Sequence, residues 1–148
     1  LSGPPGTGKT TAISTAARRW GQDGSPTWIT AQSNVAVKNI AEKLFKQRVD
    51  FKIIVSKEFY FEWHEHIYLE IENCLIRSDD LPNDPAGLER LLGGSMVILT
   101  TLAMLSNPVL DRNRAFSVVP MQRLVIDEAS QINVFEYMVS FPLSCRLT

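Results

Sequence analysis

The sequence predicts an α/β domain, a mainly parallel sheet flanked by helices. Three observations predict it. Short apolar runs bounded by turn residues alternate with segments of helical periodicity. A glycine-rich turn, Gly3-Pro4-Pro5-Gly6-Thr7-Gly8-Lys9-Thr10, leads straight into the first of those helices. The apolar run Leu124-Val125-Ile126 ends on two adjacent carboxylates, Asp127 and Glu128. Alternation of this kind favours crossover connections, and crossovers give parallel strand pairs.

Each element has a local reason. Thr10 to Trp20 is alanine-rich and stops at Gly21, which predicts a helix. Thr27-Trp28-Ile29-Thr30-Ala31 is β-branched and aromatic and follows Ser25-Pro26, so it predicts a strand. Ser33 or Asn34 can cap the next helix, in which Val37, Ile40, Ala41, Leu44 and Phe45 recur at helical spacing. Phe51 to Val55 is a second strand candidate. Phe59, Trp63, Ile67, Ile71 and Leu75 stand four residues apart, which predicts one long helix from Glu58 to Ile76. Asp84-Pro85 starts a short helix by capping and a preset φ, and Gly93-Gly94 ends it. Met96 to Thr100 and Leu124 to Ile126 are apolar runs of the buried, parallel type.

Composition narrows the classes. The chain has 148 residues, 45% of them hydrophobic, enough for one domain with a real core. Fifteen basic and 16 acidic residues leave a net charge of −1. That excludes a global basic field, so any nucleic-acid contact must be local. Cys74 and Cys145 are far apart and form no C-x-x-C, which argues against a disulfide framework or zinc site. A reducing compartment fits, cytoplasm ahead of nucleus. The most apolar stretch, Met96 to Leu105, is too short for a bilayer, which needs roughly 20 apolar residues.

The glycine-rich turn has the form G-x-x-x-x-G-K-S/T. Glycines let the backbone turn its N–H groups toward phosphate oxygens, Lys9 brings a point charge, and the Thr10 hydroxyl can ligate Mg²⁺. The following helix adds its positive end. Asp127 suits a place near that metal, and Glu128 a place where it orients or deprotonates water. An apolar run ending in Asp-Glu is also an ordinary strand running into a solvated turn. Together with the glycine loop, it points to nucleotide hydrolysis. The loop, the turn after Ala31, the pair Thr100-Thr101 and the pair Asp127-Glu128 all follow apolar strands, so they should line one edge of the sheet.

The octapeptide Gly3–Thr10 is shared by AAA+ machines and superfamily 1 helicases. Thr30-Ala31-Gln32-Ser33-Asn34-Val35-Ala36-Val37 resembles motif Ia of superfamily 1B helicases of the nonsense-mediated-decay and senataxin type. Asp127-Glu128-Ala129-Ser130-Gln131 resembles their motif II, and Lys9 stands much farther from Asp127 than in AAA+ modules. The resemblance implies a RecA-like P-loop NTPase domain over residues 1–138, with a helical insertion at about 57–94 between motifs Ia and Ic. It implies that Gly3, Pro4, Pro5, Gly6, Thr7, Gly8, Lys9, Thr10 and Thr11 bind ATP, with Thr10 and Asp127 holding Mg²⁺. Lys9, Asp127 and Glu128 would support hydrolysis, and Gln131 would couple it to the nucleic-acid groove. Ser33 and Asn34, with Thr100 and Thr101 in the place of motif Ic, would hold single-stranded RNA or DNA by its backbone. Helix capping explains the first pair equally simply, and β propensity the second. The aromatics from Phe59 to Tyr68 could stack bases, although their spacing favours a packed stripe.

The resemblance also implies 5′-to-3′ helicase activity that needs a second RecA-like domain. A non-catalytic nucleotide-binding fragment, a pseudogene product and an AAA+ ATPase are the alternatives. Only Leu1 and Ser2 precede the loop, where a buried strand is normal, so the expectation is a truncated first strand. No motif III follows motif II. Residues 139–148 do not continue the family pattern, and Val139-Ser140 can be encoded by a 5′ splice-site sequence, so translated intron is the expectation for this tail.

Overall fold

The computed structural model describes residues 8–64, 69–129 and 133. The expectations for Gly3 to Thr7, for Gln131 and for the tail at 139–148 lie outside the described residues. Five parallel strands form one sheet. They are β1 (Thr27–Ala31), β2 (Lys52–Val55), β3 (Leu75–Arg77), β4 (Val97–Thr101) and β5 (Arg123–Asp127), in the order β3-β2-β4-β1-β5. Every pairing is parallel, as the strand–helix alternation predicts.

Helices cover both faces. Helices α1 (Lys9–Gln22) and α2 (Asn34–Lys46) lie on one, joined there by residues of α3 (Lys57–His64) and α4 (Leu69–Glu72). On the other face are α5 (Pro85–Leu92), α6 (Leu102–Leu105), α7 (Pro108–Arg112) and α8 (Ala115–Val118). The strands alternate strictly between the two cores. Ile29, Ala31, Ile53, Val55, Val97, Leu99 and Val125 face α1 and α2, while Trp28, Ile54, Ile76, Ile98 and Leu124 face the other layer. Burial on both faces is why β1 reads as an unbroken buried run. Strand β5 is the exception. Each of its residues is only half-buried, because β1 is its one partner strand among the described residues.

Local chemistry sets the helix ends. Asp84 accepts from the Gly87 amide at 2.6 Å, Pro85 opens α5, and Gly93 closes it in the left-handed region at φ 62°. Thr101 and Asn107 cap α6 and α7 in the same way, accepting from Met104 and Val109.

The helix expected from Glu58 to Ile76 stops short of Leu75. Residues 57–64 and 69–72 are helical, residues 65–68 lie outside the described residues, and Leu75-Ile76-Arg77 leaves as β3 to pair with Ile53, Ile54 and Val55. Free strand-edge hydrogen bonds on β2 outweigh the helical period there, and Leu75 and Ile76 then split between opposite faces. The stripe is still partly a packing stripe, since Phe59 and Ile71 both join the α1–α2 core. The region 57–94 therefore adds a strand to the sheet as well as helices.

Trp28 anchors the second core. It is fully buried, its Nε1 donates to the Val119 carbonyl at 3.0 Å, and Phe116 lies 4.8 Å away, ring to ring. Trp28→Ala is expected to lower unfolding free energy in urea by about 3–5 kcal/mol, whereas Val35→Ala at an exposed site should stay within about 0.5 kcal/mol. Thr30 is fully buried and its hydroxyl has no hydrogen-bond partner among the described residues. Thr30→Val keeps the shape and removes that unsatisfied group, so the same measurement should show a gain of about 1 kcal/mol.

Candidate nucleotide-binding edge

The site is built by register. Ala31, the last residue of β1, pairs with Thr101 on one side and Asp127 on the other. These three residues form one row across the carboxyl end of the sheet, with Thr101 and Asp127 about 10 Å apart at the usual strand spacing. Residues two apart on a strand share a face, so Asp127 lies on the face of Val125, which packs against the α1–α2 core. Helix α1 lies on that face, through Ile13 and Ala17.

Helix α1 begins with Gly8, Lys9 and Thr10. Gly8 sits at φ 78°, a conformation that a side chain strains, and its carbonyl accepts the first helical bond from Ala12 at 2.9 Å. Amides of a first turn point out along the axis and carry the positive end of the helix dipole. Gly8 has no side chain to cap them. Lys9 and Thr10 are half-buried at this end.

Glu128 follows the strand in the left-handed region at φ 56°, and its amide donates to Asp127 Oδ1 at 3.0 Å. The kink breaks the alternation that would otherwise send Glu128 to the opposite face. A left-handed non-glycine residue costs about 1–2 kcal/mol, and such strain tends to gather at functional sites. Glu128→Gly relieves it but loosens the unfolded chain, so a net gain of about 0.5–1 kcal/mol in urea unfolding is expected.

The other expected residues divide. Ser33 caps α2, accepting from the Ala36 amide at 3.1 Å, and is exposed, with half-buried Asn34 beside it. Val35 next to them is 67% exposed. Thr101 caps α6 and is half-buried at the edge of the sheet. Thr100 is different: it is fully buried, and its hydroxyl donates to the Ile54 carbonyl at 3.0 Å. It offers nothing to a ligand at this edge, which corrects its expected part in strand contact. Strand β4 is paired on both edges and covered on both faces, so Thr100 is buried, and sequence alone does not show that cover.

As magnesium donors, the Thr10 hydroxyl and the Asp127 carboxylate are both hard oxygens. Mg²⁺ is held by one or two such groups together with phosphates and water, so the donor set fits that ion. Among the described residues there is no cluster of three histidine, cysteine or acidic side chains. A cavity of about 710 Å³ lies at the opposite, amino end of the strands, walled by Phe45, Val49, Phe51, Ile71 and Cys74. Burial pushes the Cys74 thiol up from its ordinary range. Neither belongs to the Asp127 edge.

Lys43 stands on the exposed face of α2 and makes a contact with the neighbouring helix. Its Nζ reaches Thr11 Oγ1 at 3.2 Å, in the first turn of α1.

A parallel sheet covered on both faces, with this loop-to-helix start and paired carboxylates at one edge, is the arrangement of a RecA-like P-loop NTPase domain. Comparison with known proteins agrees with that class. Residues 1–58 match the family model described as AAA domain. The chain is 31% identical over 133 residues to the DNA replication ATP-dependent helicase/nuclease DNA2 of Homo sapiens, covering 90% of this chain and 12% of that protein. The Bos taurus protein of the same name gives the same identity and coverage, and the Xenopus laevis one is 32% identical over 134 residues, again 90% and 12%. The chain thus spans about an eighth of the length of these relatives. The chain is similar to the AAA domain family over its first 58 residues and to helicase-named proteins over most of its own length. No helix among the described residues is long and apolar enough to cross a membrane.

Proposed function

We propose that this chain is the ATP-binding and hydrolysing domain of an ATP-dependent 5′-to-3′ helicase acting on single-stranded nucleic acid. The observation that supports the reading is that α1 packs on the face of Val125 with Trp20 beside Arg123 at the start of β5, so its Lys9-Thr10 end is directed toward the sheet edge where β5 ends in Asp127. Relatives matched over 90% of the chain carry a helicase name, and that name says DNA replication, which favours DNA over RNA. The nonsense-mediated-decay and senataxin likeness of motif Ia remains part of the proposal.

The roles follow from the chemistry. Gly3 to Gly8 and the first-turn amides of α1 cradle the phosphates, and Lys9 neutralises charge on the terminal ones. Thr10 and Asp127 would hold Mg²⁺, which supplies charge neutralisation and orientation of the phosphates when bound. Glu128 orients the attacking water and takes its proton as the terminal phosphoryl group leaves ADP. Gln131 relays the state of this site to the nucleic-acid groove. Ser33, Asn34 and Thr101 hold the strand through its backbone, with exposed Val35 offering an apolar contact beside them. A second RecA-like domain would close the cleft over ATP and turn hydrolysis into movement.

Steady-state ATPase with and without single-stranded DNA tests the reading. Lys9→Ala is expected to weaken Mg–nucleotide binding by about a hundredfold or more. Glu128→Gln should bind nucleotide as the wild type does and lose about 10²–10⁴-fold in turnover. Equal hydrolysis by wild type and Glu128→Gln would refute the assignment. Tight binding with no strand-stimulated hydrolysis would leave a nucleotide-binding module without helicase activity.

A further inference from the structure

The first turn of α1 is gripped from α2 by side chains outside every motif. Lys43 Nζ donates to Thr11 Oγ1 at 3.2 Å. One turn further on, Gln47 Nε2 donates to Ser14 Oγ at 3.0 Å. Ser14 Oγ in turn donates to the Thr11 carbonyl at 2.9 Å, and Thr15 Oγ1 donates to the same carbonyl at 2.9 Å. Ser14 is fully buried between the helices, so the lower half of this chain of bonds is shielded from water. Both polar links from α2 end on the turn that immediately follows Lys9-Thr10.

The chemistry of the upper link is directional. An ammonium only donates, so the Thr11 oxygen accepts from Lys43 and its own proton must point elsewhere. Lys43 also sets a full positive charge within hydrogen-bond reach of the third residue of α1, the helix whose positive end would face phosphate. We propose that Lys43 is a positioning residue for nucleotide binding: it fixes Thr11 and adds positive charge at the phosphate end of α1, with Gln47 and Ser14 bracing the contact from below. This rests on the reading of Gly3 to Thr10 as the nucleotide site.

The test is equilibrium binding of mant-ADP with Mg²⁺ to the full chain at low and high salt, alongside thermal melts. The Lys43–Thr11 contact is solvent-exposed, so Lys43→Met should weaken binding about fivefold at low salt, the upper end for one exposed charge, and much less at high salt. Its melting temperature should match the wild type, and Lys43→Arg should restore affinity to within about twofold. A structural role alone would not give that salt dependence or that rescue. Lys9→Ala separates the two levels. If Lys9→Ala loses binding while Lys43→Met keeps it, the role of Lys43 is refuted and the nucleotide site stands. If Lys43→Met lowers the melting temperature and Lys43→Arg fails to rescue binding, the residue is structural and the proposal fails. If Lys9→Ala binds as tightly as wild type, the nucleotide reading falls and takes this inference with it.

Discussion

The register of β1 is the constraint on which the rest of the molecule depends. Ala31 is paired on both sides at once, with Thr101 of β4 and Asp127 of β5. A slip of one residue in either pairing would turn the neighbouring strand over. Asp127 would then point toward α5 to α8, away from the helix that starts at Lys9. A slip of β1 itself would take Trp28 out of its pocket against Phe116 and Val119. Core packing and site geometry therefore enforce the same register, and neither can change alone.

That coupling explains the uneven quality of the strands. The inner strands β1 and β4 are buried on both faces and paired on both edges. Strand β5 is half-exposed throughout and ends in a strained residue, Glu128. The stiff part of the sheet positions the row, and the less covered strand carries the carboxylates. Such a division suits chemistry that needs a fixed frame and a polar, accessible end. The Asp127–Glu128 hydrogen bond offsets part of the backbone strain by giving the turned amide an acceptor.

Much of this was legible in the chain. The caps at Asp84 and Gly93, the strand Thr27–Ala31 and the loop-to-helix start at Lys9 are local signals, and the structure keeps them. The failures are all non-local. Phe59 to Leu75 has a helical period, yet Leu75 and Ile76 pair with β2, an edge that a window of sequence does not contain. The short helices α6, α7 and α8 hold too few residues to show a period, and tertiary contacts of Leu102, Leu110 and Ala115 stabilise them. At the site, Lys9, Asp127 and Glu128 could be proposed because motif chemistry is written in adjacent residues. The burial of Thr100 was not legible because the helices that cover both faces of β4 are distant in sequence.

Lys43 shows the same limit from the other side. Nothing in its neighbourhood separates it from Lys46 or Arg48 as a solvated charge, and only the packing of α2 on α1 brings it to Thr11. That packing has a consequence for the whole edge. Helix α2 starts at Ser33-Asn34, where strand contact is proposed, and its last turns hold Thr11 and Ser14 in the first turns of α1. Its inner face is a continuous core stripe of Ala36, Val37, Ile40, Ala41 and Leu44, which holds its length against the sheet. The proposed strand contacts at its start and the polar contacts with α1 near its end thus lie on one packed helix, and those polar side chains can be removed without unpairing a strand.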